Sequence, residues 1–216
     1  MGTPINYDRV AELTKVEAEK LNENTQKSKE FYGNAVEHLS GGVASSYQLH
    51  EPWPIYVEKG EGAKVWDVDG NEYYDFHNGF GSMVQGHAHP AIGKAVADRY
   101  PMGTHFAAPT EDAIVVGDEL ARRWGLPKWR YTNSGSESTM DAIRIARAYT
   151  GRDTVMKIFG SYHGHHDTVM VDIGWIPEQE IGPRDNYASI PYGAGVPQAV
   201  VDMTVAVPFN DAETME

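Results

Sequence analysis

Residues 133–151 set the terms for this chain. Asn133, Ser134, Gly135, Ser136, Glu137, Ser138 and Thr139 lead into Met140, Ala142, Ile143, Ile145, Ala146 and Tyr149, and Gly151 closes the run. Small hydroxyl residues followed by apolar residues at helical spacing predict a helix starting at Ser134, entered from a short strand over residues 130–132. Ser134 and Glu137 fit the S-x-x-E capping pattern, while Gly151, with Arg144, Arg147 and Arg152 near that end, suits a helix C-terminus. Ser138, Ala142, Ile145, Ala146 and Tyr149 share one face of the wheel and are expected to pack on a sheet. The unpaired first-turn amides and the positive end of the dipole also make a ready anion seat. The seat carries no lysine, so it is neither a P-loop nor the dinucleotide glycine pattern. Capping box and phosphate seat stand level on this spacing.

The chain has 216 residues, room for one large domain or one domain with a smaller piece. Hydrophobic residues at 41% and aromatics at 11% are globular in composition. Eighteen basic against 31 acidic residues give a net charge of −13, which argues against general nucleic-acid binding and against an anionic membrane surface. There is no cysteine, so neither disulfides nor thiolate zinc sites are available. Met1 to Leu21 is charged and has no continuous apolar run, so no signal peptide or membrane span is expected and the cytoplasm is the expected compartment.

Tyr7 to Leu39 reads as one or two exposed helices broken near Asn22–Asn24, and Ser40-Gly41-Gly42 as a flexible turn. Ile55–Val57, Ala63–Val68 and Glu72–Phe76 alternate apolar and polar residues around Asp69-Gly70, a hairpin signal. Asp67, Asp69 and Asn71 resemble part of a calcium loop, but the ligand set is incomplete and turn chemistry is the expectation. His87 and His89 sit in a glycine-rich loop and are expected to be structural. Helices follow from Pro90 to Tyr100 and from Thr110 to Trp124. Thr154–Phe159 reads as a strand ending in Gly160-Ser161-Tyr162-His163-Gly164-His165-His166. With the preceding helix this predicts a βαβ unit, with loops 133–136 and 160–166 at strand carboxyl ends, where ligands gather in such sheets. An aromatic beside a phosphate seat suggests a phosphorylated heteroaromatic ring, and no metal site is expected from His163, His165 and His166. Residues 172–201 read as a long loop, 203–208 as a strand, and 211–216 as a helix beginning where the chain stops. That last pattern is expected of a longer protein.

The motifs carry a resemblance. Asn133–Arg144, Ala146–Arg152 and Tyr162-His163-Gly164-His165 resemble class III pyridoxal-phosphate aminotransferases, nearest the glutamate-1-semialdehyde 2,1-aminomutase branch. Val65–Asn71 and Gly86-His87-Ala88-His89-Pro90 agree in order and spacing, and the likeness covers roughly residues 30 to 172. It implies the α/β type I PLP-dependent transferase fold: a mostly parallel sheet with helices on both faces, plus a small N-terminal helix and β-hairpin segment. Residues 1–85 are then the arm and hairpin segment, and 86–216 the first part of the large cofactor-binding domain. The cofactor implied is pyridoxal 5'-phosphate (PLP), its phosphate cupped by Ser134, Gly135 and Ser136 and its ring stacked on Tyr162. Tyr47, Gln48, Phe80 and Met83 match positions lining the substrate pocket. Gln48 stands where the aminomutases carry an arginine that can hold a substrate carboxylate. The implied partners are a small-molecule amino donor, a carbonyl acceptor and a second copy in a homodimer. The family's cofactor-bonding lysine and the aspartate that pairs with the ring nitrogen match nothing here, so the catalytic residues are unknown within these residues. This segment alone is therefore expected to be inactive. The implied reaction of the complete site is amino-group transfer; the alternatives are an intramolecular aminomutase and a non-catalytic binding or assembly fragment.

Overall fold

The computed structural model describes residues 5–174, 176–183 and 186–216. It divides into two compact units, one ending at Ala108 and the other beginning at Pro109.

In the first unit, helix α1 (Tyr7–Asn24) is capped by Asn6, whose side chain accepts the Arg9 amide at 3.0 Å. None of its residues is buried, as the expected solvated arm requires. Helix α2 (Gln26–Ala35) starts one residue beyond the break. Strands β1 (Val57–Glu61), β2 (Lys64–Asp67) and β3 (Glu72–Tyr74) form an antiparallel sheet in that order. Gly70 takes the turn at φ 91°, in the left-handed region that glycine enters without steric penalty. Asp67, fully buried, accepts the amides of Asp69 and Asn71 and the hydroxyl of Tyr73. Burial and then that carboxylate push the Tyr73 phenol up to about 12.

Asp69 leaves the hairpin altogether. Its oxygens accept the amides of Lys27 at 2.7 Å and Ser28 at 2.9 Å, so the turn caps the N-terminus of α2. The calcium-like spacing is thus turn and cap chemistry. His87 is structural as well: its Nε2 meets Asp75 Oδ2 at 2.7 Å and its backbone bridges Gly62. A Cβ on Gly60 would stand 2.6 Å from the His87 ring, so only glycine lets the ring lie there. Helix α3 (Pro90–Arg99) follows, with proline at its first position.

The second unit holds α4 (Glu111–Trp124), α5 (Gly135–Thr150), β4 (Val155–Ile158) and β5 (Thr204–Val207). Both long helices end on a left-handed glycine, Gly125 at φ 70° and Gly151 at φ 67°. β4 and β5 pair in parallel, Val155 opposite Thr204 through Ile158 opposite Val207. Around them Val169, Val171, Val201, Ala206 and Val207 are buried.

Three local expectations change. Residues 130–132 join no ladder; the Tyr131 hydroxyl donates to Ala113 O at 3.0 Å, and three residues give a strand little pairing to gain. The parallel pair is therefore β4 with β5 rather than a strand before α5 with β4, and loop 133–136 follows an unpaired segment. The expected sheet-facing side of α5 is open: Ser138, Ala142, Ile145, Ala146 and Tyr149 are all exposed, Tyr149 at 92%. Periodicity identifies an apolar face but not what covers it. Within 172–201, single helical turns occur at Glu178–Ile181 and Gln198–Val201, while residues 175, 184 and 185 lie outside the described residues, as do 1–4.

Candidate functional site

The start of α5 combines a cap and open donors. Ser134 Oγ accepts the Glu137 amide at 3.2 Å, and Glu137 Oε2 reaches back to the Asn133 amide at 2.7 Å. The Ser134 hydroxyl is thus taken by the helix itself. The Gly135 and Ser136 amides belong to the first turn, where no intrahelical acceptor exists, and have none among the described residues. A Cβ placed on Gly135 would meet nothing within 4 Å, so the space above the helix start is clear. Two open amides and the positive end of the helix dipole beside clear space fit a phosphate group.

The loop after β4 closes over this start. The His165 amide donates to Ser136 Oγ at 2.9 Å, which leaves the Ser136 hydroxyl proton for another acceptor. Thr139 Oγ1 donates to His163 O at 2.6 Å and lies 3.2 Å from His166 Nε2. Gly164 makes the approach possible: at φ +118°, its missing Cβ would fall 2.8 Å from Ser136 Cα. Tyr162, two residues earlier, is 62% exposed and offers a ring face to solvent. The structure therefore brings Ser134, Gly135, Ser136 and the Tyr162 loop into one cluster.

The histidines of this loop serve separate partners. His163 Nε2 meets Ser161 Oγ at 3.0 Å, and burial lowers the His166 pKa, favouring the neutral ring beside Thr139. Among the described residues no three metal-ligating side chains converge.

In the first unit, Tyr47 and Phe80 lie with ring centroids 4.8 Å apart, and His77 stands 4.1 Å from Phe80 and 5.7 Å from Tyr47. Sequence reasoning missed His77; its only signal is its place just after β3. Asn78, Gly79, Phe80 and Gly81 all have positive φ, a left-handed turn that costs Asn78 and Phe80 roughly 1–2 kcal/mol each. Gln48 Oε1 accepts the Ser45 amide at 3.2 Å, so its carbonyl serves its own turn. The Met83 amide closes the turn onto Asn78 O at 3.1 Å.

Residues 46–212 match the class-III aminotransferase family. The chain belongs to that family. The glutamate-1-semialdehyde 2,1-aminomutase of Methanosphaera stadtmanae is 37% identical over 191 residues, covering 88% of this chain and 43% of that protein. A transaminase solved with PLP bound is 38% identical with a TM-score of 0.75, covering 88% of this chain and 43% of that one. A glutamate-1-semialdehyde aminomutase from Pseudomonas aeruginosa PAO1 is 31% identical with a TM-score of 0.83, covering 99% of this chain and 46% of that one. The class III chain therefore has part of the α/β type I PLP-dependent transferase fold and spans less than half the length of these relatives. Among the described residues no helix is long and apolar enough to cross a membrane.

Proposed function

We propose that this chain carries the phosphate- and ring-holding part of a PLP-dependent aminotransferase site. One observation carries the reading: the open amides of Gly135 and Ser136 and the Tyr162 loop are tied together by the His165–Ser136 hydrogen bond. The Gly135 and Ser136 amides and the Ser136 hydroxyl would hold the phosphate dianion, Ser134 would cap the helix beneath it, and Tyr162 would lie against the ring. When bound, PLP supplies an electron sink for transfer of an amino group between an amine or amino acid and a carbonyl compound. The residues of this chain bind and orient; the lysine chemistry of the family has no counterpart among them. Tyr47, Gln48, Phe80 and Met83 of the first unit are proposed as substrate-pocket residues of the complete protein, which is proposed to be a cytoplasmic homodimer.

A second reading, an aminomutase that shifts an amino group within one substrate, is favoured by the identities to two aminomutases. The intact protein, assayed with and without an external keto acid, separates the two, because an aminomutase requires no acceptor. For the site itself, pyridoxamine 5'-phosphate is titrated into the chain and into Ser136→Ala and Tyr162→Ala. Both variants are expected to bind more weakly; unchanged affinity in both would sink the placement.

A further inference from the structure

Lys157 is buried in the second unit, at 6% exposure on β4, and among the described residues its ammonium has no side-chain hydrogen-bond acceptor. It donates instead to two backbone carbonyls, those of Val171 and Asp172, the latter at 3.4 Å. Those carbonyls lie at the neck of the loop that leaves β4 with Phe159 and returns at Asp172. The Gly160 amide donates to Asp172 O at 2.9 Å, and Asp172 itself is 1% exposed at φ 51°. Its backbone amide donates to Ile190 O at 2.8 Å, and its Oδ1 accepts the Ile190 amide at 3.0 Å. Its Oδ2 is buried with no hydrogen-bond partner among the described residues.

This is an expensive way to fill a core. Burial lowers the Lys157 pKa and raises that of Asp172, and the attraction between the two charges offsets only part of either shift. Taking an ammonium out of water carries a desolvation penalty that a hydrophobe filling the same volume would not. Packing alone therefore does not account for a lysine here, whereas a point donor that fixes two carbonyls does.

The same loop is tied at its tip by His165 to Ser136 and by Thr139 to His163 O. Tyr162 hangs between tip and neck and is largely exposed, so its ring direction follows from how the two ends are held. We propose that Lys157 is a positioning residue for Tyr162: its ammonium fixes the neck of the 159–172 loop and thereby the plane of the ring. The proposal rests on the cofactor reading for its consequence, but not for its geometry.

The test uses the 216-residue chain and Lys157→Met, which keeps the volume and removes the donor. Three readouts are taken: hydrogen exchange of the Gly160 amide, the Tyr162 ring resonances, and titrations with pyridoxamine 5'-phosphate and with inorganic phosphate. The variant is expected to fold, to exchange the Gly160 amide about tenfold faster, and to shift the Tyr162 ring signals. It should lose about fivefold in affinity for pyridoxamine 5'-phosphate while keeping its affinity for inorganic phosphate, and adding Tyr162→Ala should cost nothing more. Lys157→Arg, which keeps the donors, should restore most of the protection. Parent-like exchange and parent-like ring signals in Lys157→Met overturn the proposal, and so does outright unfolding, which would make the lysine structural. If the parent binds neither ligand, the cofactor reading fails, and exchange and ring signals still decide the role of Lys157.

Discussion

Ser136 Oγ accepts the backbone amide of His165 at 2.9 Å, joining the first turn of α5 to the loop that carries Tyr162. That bond places an open helix start and an aromatic residue on neighbouring segments, although Ser136 and Tyr162 lie 26 positions apart in sequence.

Gly135→Ala separates binding from folding. The new Cβ meets nothing within 4 Å, and glycine at this position has ordinary helical freedom to lose. Denaturant unfolding should show stability within about 0.5 kcal/mol of the parent. The methyl group nevertheless enters the space where phosphate would sit, so affinity for pyridoxamine 5'-phosphate should fall several-fold. A parent-like affinity would remove Gly135 from the seat.

Gly164→Ala should do the reverse. Its Cβ would fall 2.8 Å from Ser136 Cα at a φ of +118° that side chains avoid. A loss of roughly 1–3 kcal/mol is expected in thermal or chemical unfolding, from backbone strain and the broken approach. Stability equal to the parent would mean that the loop does not sit this close to α5.

Asp69 links the hairpin to α2 through two amides and the Ser28 hydroxyl. Burial pushes its pKa up, but the Lys27 and Ser28 hydrogen bonds outweigh it and hold the carboxyl below its usual range. A depressed folded-state pKa stabilises above the unfolded value of about 3.9 and loses that contribution as pH falls through the folded value. Asp69→Ala should cost about 1–2 kcal/mol near neutral pH, in line with a lost helix cap. The gap between variant and parent melting temperatures should close on acidification below pH 4. A gap that stays constant with pH would rule out the charged cap.

On α5, Ile145→Ser and Tyr149→Ser should each leave the stability of this chain within about 0.5 kcal/mol, since the two residues are 69% and 92% exposed. A large loss in urea unfolding would show that this face is covered in solution.

Much of the fold is legible in local chemistry. Caps and turns write themselves into short spacings: Ser134 with Glu137, Gly125 and Gly151 after their helices, and Asp69-Gly70 in the hairpin all lie where residue type predicts. The open amides of Gly135 and Ser136 are legible for the same reason, because a helix's first turn lacks intrahelical acceptors whatever surrounds it. What spacing does not carry is partnership at a distance. Nothing in the sequence says that Asp69 leaves its own turn to cap α2, that residues 130–132 go unpaired, or that the apolar face of α5 stays open. His77 was missed because a ring gains its role only when Tyr47 and Phe80 are folded against it. Lys157 reads as an ordinary polar residue in a short strand, and only its burial against Val171 and Asp172 sets it apart.

The central claim is that the Gly135–Ser136 helix start holds a phosphate on a ring-bearing ligand. Its most direct test is calorimetric titration of the chain with pyridoxamine 5'-phosphate and with pyridoxamine, which differ only in the phosphate and do not condense with surface lysines. Charge-assisted bonds from two amides and a hydroxyl predict at least about tenfold tighter binding of the phosphorylated form. Equal affinity for the two, or tighter binding of pyridoxamine, would contradict the account.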